Sequence, residues 1–329
     1  MARVVRFHQH GDPEVLQIEE LDVPAPGREQ VRIRVKALGL NRAEALFRQG
    51  IYIESPTFPS GLGLEASGVV ESVGDDVANL RPGDAVSIVP PMSMNHWTTY
   101  GEVINIPADL VVKHPPSLDW HQAAAVWMAY LTSYGALVDI AGLGREDFVV
   151  VTAASSSVGT AAIQIANMIG ATPIAVTRTA RKRDALLDLG AAHVVVLEEE
   201  NLEARLLETA GSQGVRVVFD PIGGPIFEPL TASMSKGGVL IEYGGLSTQP
   251  TPFPIRHILS KSLTLRGYLV HEVLADAVRL AAGKSFILHG LEIGALKPII
   301  AKEFKFEEIV QAHQFLETNE QLGKIVVTV

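Results

Sequence analysis

The segment TAASSSVGTAAIQIA (residues 152–166) continues the apolar run FVVV (residues 148–151) and opens a helical pattern. A turn between a buried strand and a helix is a usual place for nucleotide phosphates. There the glycines of G-x-G-x-x-G allow a tight turn and close approach of the pyrophosphate. Here serines fill the middle of the turn, and only Gly159 remains. The segment therefore fits either a dinucleotide site or a serine-rich helix cap that binds no ligand.

The chain after about residue 123 alternates apolar runs with helical patterns. Apolar strands separated by helices predict a parallel sheet that is covered on both faces. The predicted strands are FVVVTAA (148–154), PIAVTR (173–178), HVVVLE (193–198), VRVVFD (215–220), GVLIEYGG (238–245) and SLTLRGY (262–268). This set predicts a doubly wound, six-stranded α/β domain of the Rossmann type.

The part of the chain before about residue 118 has a different pattern. Its short β-like runs are separated by Gly and Pro, as in VRIRVKAL (31–38), ASGVVESVG (66–74), DAVSIV (84–89) and GEVINI (101–106). This pattern predicts a mostly β domain. Beyond residue 269 we expect two more helices and a final strand, GKIVVTV (323–329), which returns to the first domain.

Length, charge and composition limit the possible functions. A chain of 329 residues can form two domains, and it has no apolar segment of membrane-spanning length and no secretory signal pattern, so we expect a cytoplasmic location. The absence of cysteine excludes disulfides, thiolate nucleophiles and cysteine-ligated zinc. A formal net charge of −10 argues against a nucleic-acid surface. Small molecules are therefore the expected partners.

A basic cluster follows the second predicted strand of the Rossmann-type domain. In an NAD site, an acidic residue about 20 residues beyond the turn binds the ribose 2′-hydroxyl. The corresponding segment, VTRTARKRDALLDLG (176–190), has no acid before Asp184 and gathers Arg178, Arg181, Lys182 and Arg183. Cations in a first helical turn oppose the helix dipole by up to about 1 kcal/mol each. The cluster thus favours a 2′-phosphate, and hence NADPH over NADH, with a solvated basic helix face as the alternative.

The helix that starts near residue 157 would supply the other phosphate contacts. Its free N–H groups and the positive end of its dipole attract an anion. We predict that Ser156 and Ser157 add hydroxyl hydrogen bonds, that Val158 donates at the helix start, and that Gly159 permits close contact between helix and strand.

Several motifs together resemble one family. They are GLNRAEALFRQGIY (39–52), GLGLEASGVVESVG (61–74), RPGDAV (81–86), AAAVWMAYLTSYGAL (123–137), AASSSVG (153–159), VVFDPIGG (217–224), IEYGGLS (241–247) and GKIVVTV (323–329). Over essentially its whole length the chain resembles the zinc-free quinone oxidoreductase (zeta-crystallin-like) branch of the medium-chain dehydrogenase/reductase superfamily. One departure is that Ser156 and Ser157 replace two glycines of that family's usual turn.

The resemblance implies a domain arrangement. A GroES-like substrate and catalytic domain would comprise residues 1–124 and 269–329, and a Rossmann NADP-binding domain would comprise residues 125–268. Members commonly form homodimers by joining their last Rossmann strands edge to edge, which would place SLTLRGY (262–268) at the interface.

The resemblance also implies site residues. Zinc-dependent relatives hold their catalytic metal at the positions of Asn41 and Leu64 and near Thr132, and none of these carries a usual ligand here, so no metal is expected. The implied cofactor contacts come from Asn41, Thr132, Ser156, Ser157, Val158, Gly159, Thr177, Arg178, Lys182, Gly244, Leu246 and Lys324.

Chemistry without a metal favours a conjugated acceptor. Hydride addition to a quinone or an α,β-unsaturated carbonyl spreads the negative charge through the π system, so one or two hydrogen-bond donors suffice. The predicted catalytic residues are Tyr52, because QGIY (49–52) resembles the segment that acts on substrate in enoyl thioester reductases, and Asn41 as a positioning group. An alcohol dehydrogenase acting on small alcohols and a non-catalytic NADPH-binding protein remain the alternatives.

The remaining polar residues are given structural roles. His8 and His10 form an H-x-H pair on the first strand, where we do not expect zinc. Glu65 is predicted to hydrogen-bond its loop. The other histidines considered are interpreted as surface or capping residues, namely His114, His121, His193 and His313.

Overall fold

Both ends of the chain fold together, and the middle of the chain forms a separate unit. The computed structural model describes all 329 residues. Unit 1 comprises Met1–Met128 and Pro298–Val329, and unit 2 comprises Ala129–Lys297. None of the helices combines the length and the apolar composition that a membrane span requires.

The N-terminal part of unit 1 is mostly β-structure. Its elements are β1 (Ala2–Arg6), β2 (Gln17–Leu21), β3 (Gln30–Gly39), α1 (Arg42–Gln49), β4 (Glu65–Val73), β5 (Ala85–Ile88), β6 (Val103–Pro107), β7 (Val111–Lys113) and α2 (Trp120–Ala123). Short 3-10 helices cover Pro13–Val15 and Ala108–Leu110.

The middle of the chain alternates helices and strands. It begins with α3 (Trp127–Tyr134), which continues into a π-helical turn at Gly135–Ile140. The elements that follow are β8 (Phe148–Val151), α4 (Ser157–Ile169), β9 (Thr172–Thr177), α5 (Arg183–Asp188), β10 (His193–Val196), α6 (Leu202–Ala210), β11 (Val215–Asp220), α7 (Phe227–Ser233), β12 (Met234–Glu242), α8 (Ile255–Lys261), β13 (Thr264–Gly267), α9 (His271–Leu274) and α10 (Ala277–Glu292).

The C-terminal segment returns to unit 1. It contains β14 (Ile300–Lys305), α11 (Ile309–Thr318) and β15 (Lys324–Thr328). In the main sheet of unit 1 the strand order is β14-β15-β3-β4-β5-β7, and β6 also pairs with β3. The pairing of β15 with β3 is antiparallel, with Val327 opposite Leu38, so the last strand is built into the same sheet as residues 30–39.

Alternation along β3 shows why this sheet forms. Val31, Ile33 and Val35 are buried, whereas Arg32 is only half-buried and Arg34 is exposed. Side chains of a strand point alternately to its two faces, so this pattern packs one face on the core and leaves the other towards water. The mostly β domain predicted from the sequence is confirmed.

The sheet of unit 2 is parallel and has six strands in the order β10-β9-β8-β11-β12-β13. Its central strand β8 is apolar, with Val149, Val150 and Val151 fully buried, as expected for a sheet covered on both faces. The winding reverses between β8 and β11, and ligands of such sheets bind at the carboxyl ends of the strands beside this reversal. The predicted fold class is confirmed.

The division of the chain differs from the boundaries expected from the family. Residues 269–297 lie in unit 2, whereas the resemblance placed them with the GroES-like domain. Helix α10 packs there through Phe286, whose ring lies 5.2 Å from that of Tyr134. An ion pair between Arg279 and Asp139, with 2.5 Å between N and O, adds a second link.

Candidate functional site

The turn after β8 lies at the point where the winding of the parallel sheet reverses. Ser156 is the N-cap of α4, and its hydroxyl accepts the N–H of Gly159 at 3.0 Å. Ala153 adopts a left-handed φ of 44°, a conformation that glycine usually supplies. The first N–H groups of an α-helix have no carbonyl partner within it, and the 13 residues of α4 add the dipole. The turn is thus a serine-capped helix start that still offers donors to an anion.

Gly159 is required by the close approach of α4 to this turn. A Cβ atom at position 159 would lie 2.6 Å from the carbonyl oxygen of Ala154 and 2.7 Å from that of Ala153. The close approach at Gly159 is between α4 and the turn after β8. The cofactor contacts of Ser156, Ser157, Val158 and Gly159 remain predictions.

The basic cluster after β9 lies beside the same turn. The ammonium of Lys182 donates to the hydroxyl of Ser155 at 2.8 Å, and Arg178 is exposed. Arg183 has a different role, because its guanidinium pairs with Glu199 at 2.5 Å. The structure therefore brings one predicted phosphate-binding cation, Lys182, directly to the serine turn.

Other predicted cofactor residues of unit 2 surround the carboxyl ends of its strands. Thr177 is buried at the end of β9. Gly244 and Leu246 lie in the loop after β12, where the N–H of Leu246 donates to the carbonyl of Pro221 at 3.0 Å. Thr132 is buried in α3, and its neighbour Ser133 donates its hydroxyl to the carbonyl of Val158 at 3.0 Å.

A pair of acids at neighbouring strand ends was not anticipated. Asp220 and Glu242 are opposite each other in the register of β11 and β12. Asp220 is fully buried and accepts the N–H groups of Ile222 at 3.1 Å and Gly223 at 2.9 Å, as well as the hydroxyl of Thr152. Burial raises the pKa of Glu242 to about 9, and the charge of Asp220 makes a smaller contribution in the same direction. The Glu242 carboxyl therefore keeps its proton at neutral pH.

In unit 1, the predicted residues Asn41 and Lys324 are in direct contact. The ammonium of Lys324 is 1% exposed, donates to Oδ1 of Asn41 at 2.7 Å and forms an ion pair with Glu65. The Asn41 amide nitrogen donates to Glu65 at 3.2 Å and to the carbonyl of Gly39 at 3.2 Å. These contacts fix the orientation of the Asn41 amide, because its oxygen faces a cation and its nitrogen faces acceptors.

The backbone at Gly39 allows this cluster to close. A Cβ atom there would lie 2.0 Å from the carbonyl oxygen of Ala124 and 3.0 Å from carbon atoms of Glu65 and Lys324. Glu65 also accepts the N–H of Met128 at 3.1 Å, so the expected hydrogen-bonding role of Glu65 is present. The direct partners of Lys324 are Asn41 and Glu65, and its contact with a cofactor remains a prediction.

A second buried carboxylate, that of Glu44, joins the cluster from α1. It accepts the N–H of Asn41 at 2.8 Å, the N–H of Leu64 at 2.9 Å and the hydroxyl of Tyr100 at 2.5 Å. Burial raises the pKa of Glu44 to about 7, although Tyr100, Asn41 and Lys324 act to lower it. The charge on Glu44 therefore changes near neutral pH.

Tyr52 lies apart from these hydrogen bonds, half-buried in the loop after α1. Burial, with smaller contributions from the charges of Glu54 and Glu44, raises the pKa of Tyr52 to about 12. Its phenol thus stays protonated and can donate a hydrogen bond. In the same loop, the Glu54 carboxylate accepts the backbone N–H of Met94 and the side-chain amide of Asn95, each at 3.0 Å. These two bonds connect the loop to the segment that follows β5.

The interpretation of His313 as a surface or capping residue is wrong. It is fully buried on α11, and its Nε2 lies 3.3 Å from the hydroxyl of Tyr100. Burial lowers the pKa of His313 to about 3, and the charges of Arg48 and Arg42 make smaller contributions in the same direction. The His313 ring is therefore neutral. No group of three or more His, Cys, Asp or Glu side chains is placed to hold a metal ion.

The position of Glu44 could have been predicted from its spacing to Asn41 in the sequence. Asn41 and Glu44 have the N-x-x-E spacing of a capping box, in which the third helical residue binds back to the N-cap N–H. The structure has that bond. By contrast, nothing local predicts that Tyr100 meets Glu44 or that Lys324 meets Glu65, because these partners are far apart along the chain.

Comparisons with known proteins agree with this architecture. A family described as alcohol dehydrogenase GroES-like domain matches residues 27–116, and one described as zinc-binding dehydrogenase matches residues 157–282. The chain is 31% identical to quinone oxidoreductase 1 of Escherichia coli K12, with 98% of each chain covered. Human quinone oxidoreductase is 29% identical, over 99% of this chain and 98% of the human one.

Two solved structures show the same fold. The structure of Escherichia coli quinone oxidoreductase complexed with NADPH has a TM-score of 0.90 and 29% identity, covering 99% of this chain and 100% of that one. An NAD-dependent alcohol dehydrogenase also has a TM-score of 0.90, with 30% identity and 99% of each chain covered.

We expect Lys324→Met to lower the free energy of unfolding by about 3–5 kcal/mol, because it leaves the buried carboxylate of Glu65 without its cation. Denaturant unfolding of the purified variant measures this loss. The matched control is Lys305→Met, which removes an exposed lysine from neighbouring strand β14 and is expected to change stability by less than about 0.5 kcal/mol. Equal effects of the two substitutions would contradict a stabilising role for the buried pair.

Proposed function

This chain belongs to the quinone oxidoreductase (zeta-crystallin-like) branch of the medium-chain dehydrogenase/reductase superfamily, and from that membership we propose that it is an NADPH-dependent quinone reductase. We include α,β-unsaturated carbonyls among its acceptors because they delocalise charge in the same way. The observation that best supports the cofactor is the 2.8 Å contact between Lys182 and Ser155 at the turn after β8.

The residues of unit 2 fit a dinucleotide phosphate. The start of α4 offers backbone donors, and Gly159 leaves space that a Cβ atom would fill. Lys182 supplies positive charge beside that turn, Arg178 is exposed at the end of β9, and the segment has no acid at the place where an NAD site needs one. These residues would hold the pyrophosphate and the 2′-phosphate, and Thr132, Thr177, Gly244 and Leu246 complete the proposed set.

Bound NADPH supplies a hydride, and the acceptor then carries negative charge on oxygen. Tyr52 is the proposed donor to that oxygen, because its high pKa keeps the phenol protonated. Asn41 is proposed to act as a positioning group, since its amide is held between Lys324, Glu65 and Gly39.

The missing metal ligands weigh against the alternative of an alcohol dehydrogenase that acts on small alcohols or ketones. Asn41 and Leu64 stand at two positions that carry metal ligands in such relatives, and Leu64 is an apolar, buried side chain. The amide oxygen of Asn41 already accepts a hydrogen bond from the ammonium of Lys324. A simple ketone is therefore the substrate that distinguishes this alternative from a quinone reductase.

We also propose a homodimer formed through β13. This strand is at the edge of its sheet and pairs only with β12. An unpaired strand edge is a template for another chain. Large apolar side chains are exposed in the preceding segment, with Phe253 at 70%, Leu259 at 72% and Ile255 at 49% exposure.

For the cofactor, we expect Arg178→Ala combined with Lys182→Ala to weaken NADPH binding by about 100- to 10,000-fold, because two charged hydrogen bonds, each with a net worth of about 1.5–3 kcal/mol, are lost. NADH binding should change by less than about threefold, since NADH lacks the 2′-phosphate. Fluorescence titration measures both affinities. Arg183→Ala is the control, because Arg183 is already paired with Glu199. Equal losses for both nucleotides would remove the 2′-phosphate assignment.

For the reaction, we expect NADPH oxidation with 1,4-naphthoquinone and with 2-cyclohexenone but not with cyclohexanone, which lacks the conjugated bond. Tyr52→Phe should lower kcat/KM on the order of 10-fold. This loss is smaller than that expected for removing a donor to an oxyanion whose charge stays on one oxygen, because the conjugated acceptor spreads its charge. Tyr134→Phe removes a phenol that packs against Phe286 and serves as the control. Turnover of cyclohexanone alone would indicate an alcohol dehydrogenase, and tight binding without any turnover would indicate a binding protein.

For the assembly, we expect a solution mass of twice the 35.3 kDa of the chain. Phe253→Asp combined with Leu259→Asp should shift this mass towards that of the monomer, because the two carboxylates would have to be buried. Sedimentation equilibrium measures both. A monomer at all concentrations of the unsubstituted protein would exclude the dimer.

A further inference from the structure

The carboxylate of Glu44 is fully buried and receives more donors than a structural cap requires. Its Oε1 accepts the N–H of Leu64 at 2.9 Å and the amide of Asn41 at 3.3 Å. Its Oε2 accepts the N–H of Asn41 at 2.8 Å and the hydroxyl of Tyr100 at 2.5 Å. A carboxylate that accepts several donors is stabilised in its charged form, while burial stabilises the neutral form. These opposing effects leave both charge states accessible.

The hydroxyl of Tyr100 gives the neutral state its own hydrogen-bond pattern. When Glu44 is charged, Tyr100 donates to it. When Glu44 carries a proton, the carboxyl can donate to the oxygen of Tyr100, whose own proton then turns towards Nε2 of His313, 3.3 Å away. The ring of His313 is neutral, so that nitrogen can accept. The three side chains thus form a chain with two arrangements of protons, and the second one places the ring proton of His313 on Nδ1, which is buried and has no hydrogen-bond partner.

We propose that Glu44 is a positioning residue that controls hydride acceptance through its charge: the neutral form supports reduction, and the charged form opposes it by acting on Asn41 and Tyr52. This inference rests on the proposed reductase function.

The sign of the effect follows from the charges that face Glu44. With Glu44 ionised, the group formed by Lys324, Glu65 and Glu44 has one more negative than positive charge; with Glu44 protonated, it is balanced. The extra negative charge opposes negative charge on an acceptor and also contributes to the raised pKa of Tyr52, which makes its phenol a weaker donor. The charged and titratable groups around Glu44 are Tyr100, Lys324, Glu65, His313, Tyr52 and Arg48, the last of these paired with Glu317.

The pH range follows from the pKa of Glu44, which burial raises to about 7. Reduction is therefore expected to slow as pH rises through neutrality. The free energy of unfolding also depends on this group, because the pKa of Glu44 is about 7 in the folded chain and about 4.5 in the unfolded chain. The contribution of Glu44 to stability is complete below pH 4.5 and is lost as the pH rises towards 7.

The decisive experiment compares Glu44→Gln with the unsubstituted protein from pH 5.5 to pH 9. The unsubstituted protein should lose about 10-fold in kcat/KM for 1,4-naphthoquinone across this range, the size expected for one nearby charge at intermediate dielectric. Glu44→Gln is neutral at every pH, so its profile should be flat and should remain near the acidic limit. Loss of activity at all pH values would show that Glu44 is only structural and would overturn the proposal.

Tyr100→Phe provides the second variant. It removes a donor that lowers the pKa of Glu44, so the midpoint of the profile should move to higher pH. Tyr130→Phe is the control, because it removes a buried hydroxyl of unit 2 that donates to Gln164 at 2.9 Å and does not touch Glu44. A midpoint that is unchanged in Tyr100→Phe, or shifted equally in both variants, would contradict the proposal.

A measurement without substrate separates this inference from the proposed function. Infrared titration of the protonated carboxyl band, taken as the difference between the unsubstituted protein and Glu44→Gln, should show one group that loses its proton near pH 7. If that group titrates but no acceptor is reduced, the reductase function fails while the proton-binding site stands. If no such group titrates, the proposal for Glu44 fails whatever the activity.

Discussion

A buried ammonium requires anionic partners. In unit 1 the buried ammonium of Lys324 on β15 pairs with Glu65 on β4, so this ion pair joins the C-terminal strand to the N-terminal part of the chain. Breaking a buried pair costs several kcal/mol, since the remaining charge has lost its water. The partners of Lys324 are Glu65 and Asn41, which lie far away along the chain. The last strand can satisfy its lysine only by lying beside β3 and close to β4. This explains in physical terms why both chain ends form one folded unit.

The same pair changes the chemistry expected at this place. At Asn41 this chain holds a protein cation, Lys324, whose ammonium donates to the Asn41 amide oxygen and pairs with Glu65. Lys324 therefore fixes the orientation of the Asn41 amide, and Tyr52 is the proposed donor to an acceptor oxygen. The positive end of α4 in unit 2 is different, because its backbone donors are not consumed by side chains other than the Ser156 cap. The polar atoms of the Asn41 amide are thus paired within unit 1, whereas the start of α4 in unit 2 presents backbone donors.

The fold could be predicted because its main signals are local. Apolar strands such as β8 and helices with a 3.6-residue period can be identified from single segments. The elements that were not predicted include α8, which has no buried residue, and β14, whose charged residues hide its strand character. Within the site, Ser156 and Gly159 could be placed from the strand-turn-helix order. The meeting of Glu44 with Tyr100, or of Lys324 with Glu65, depends on sheet register and could not be predicted, since buried charged residues are exceptions to the usual pattern.

The acids that hold protons in the folded chain affect how its unfolding must be measured. Glu242 has a pKa of about 9 and Glu44 a pKa of about 7, so the folded protein near neutral pH carries fewer negative charges than the formal net charge of −10. Both groups ionise once the unfolded chain exposes them to water, where Glu has a pKa near 4.3. Unfolding therefore releases protons to the buffer. The calorimetric enthalpy will then contain the buffer's heat of protonation and will differ between phosphate and amine buffers at the same pH.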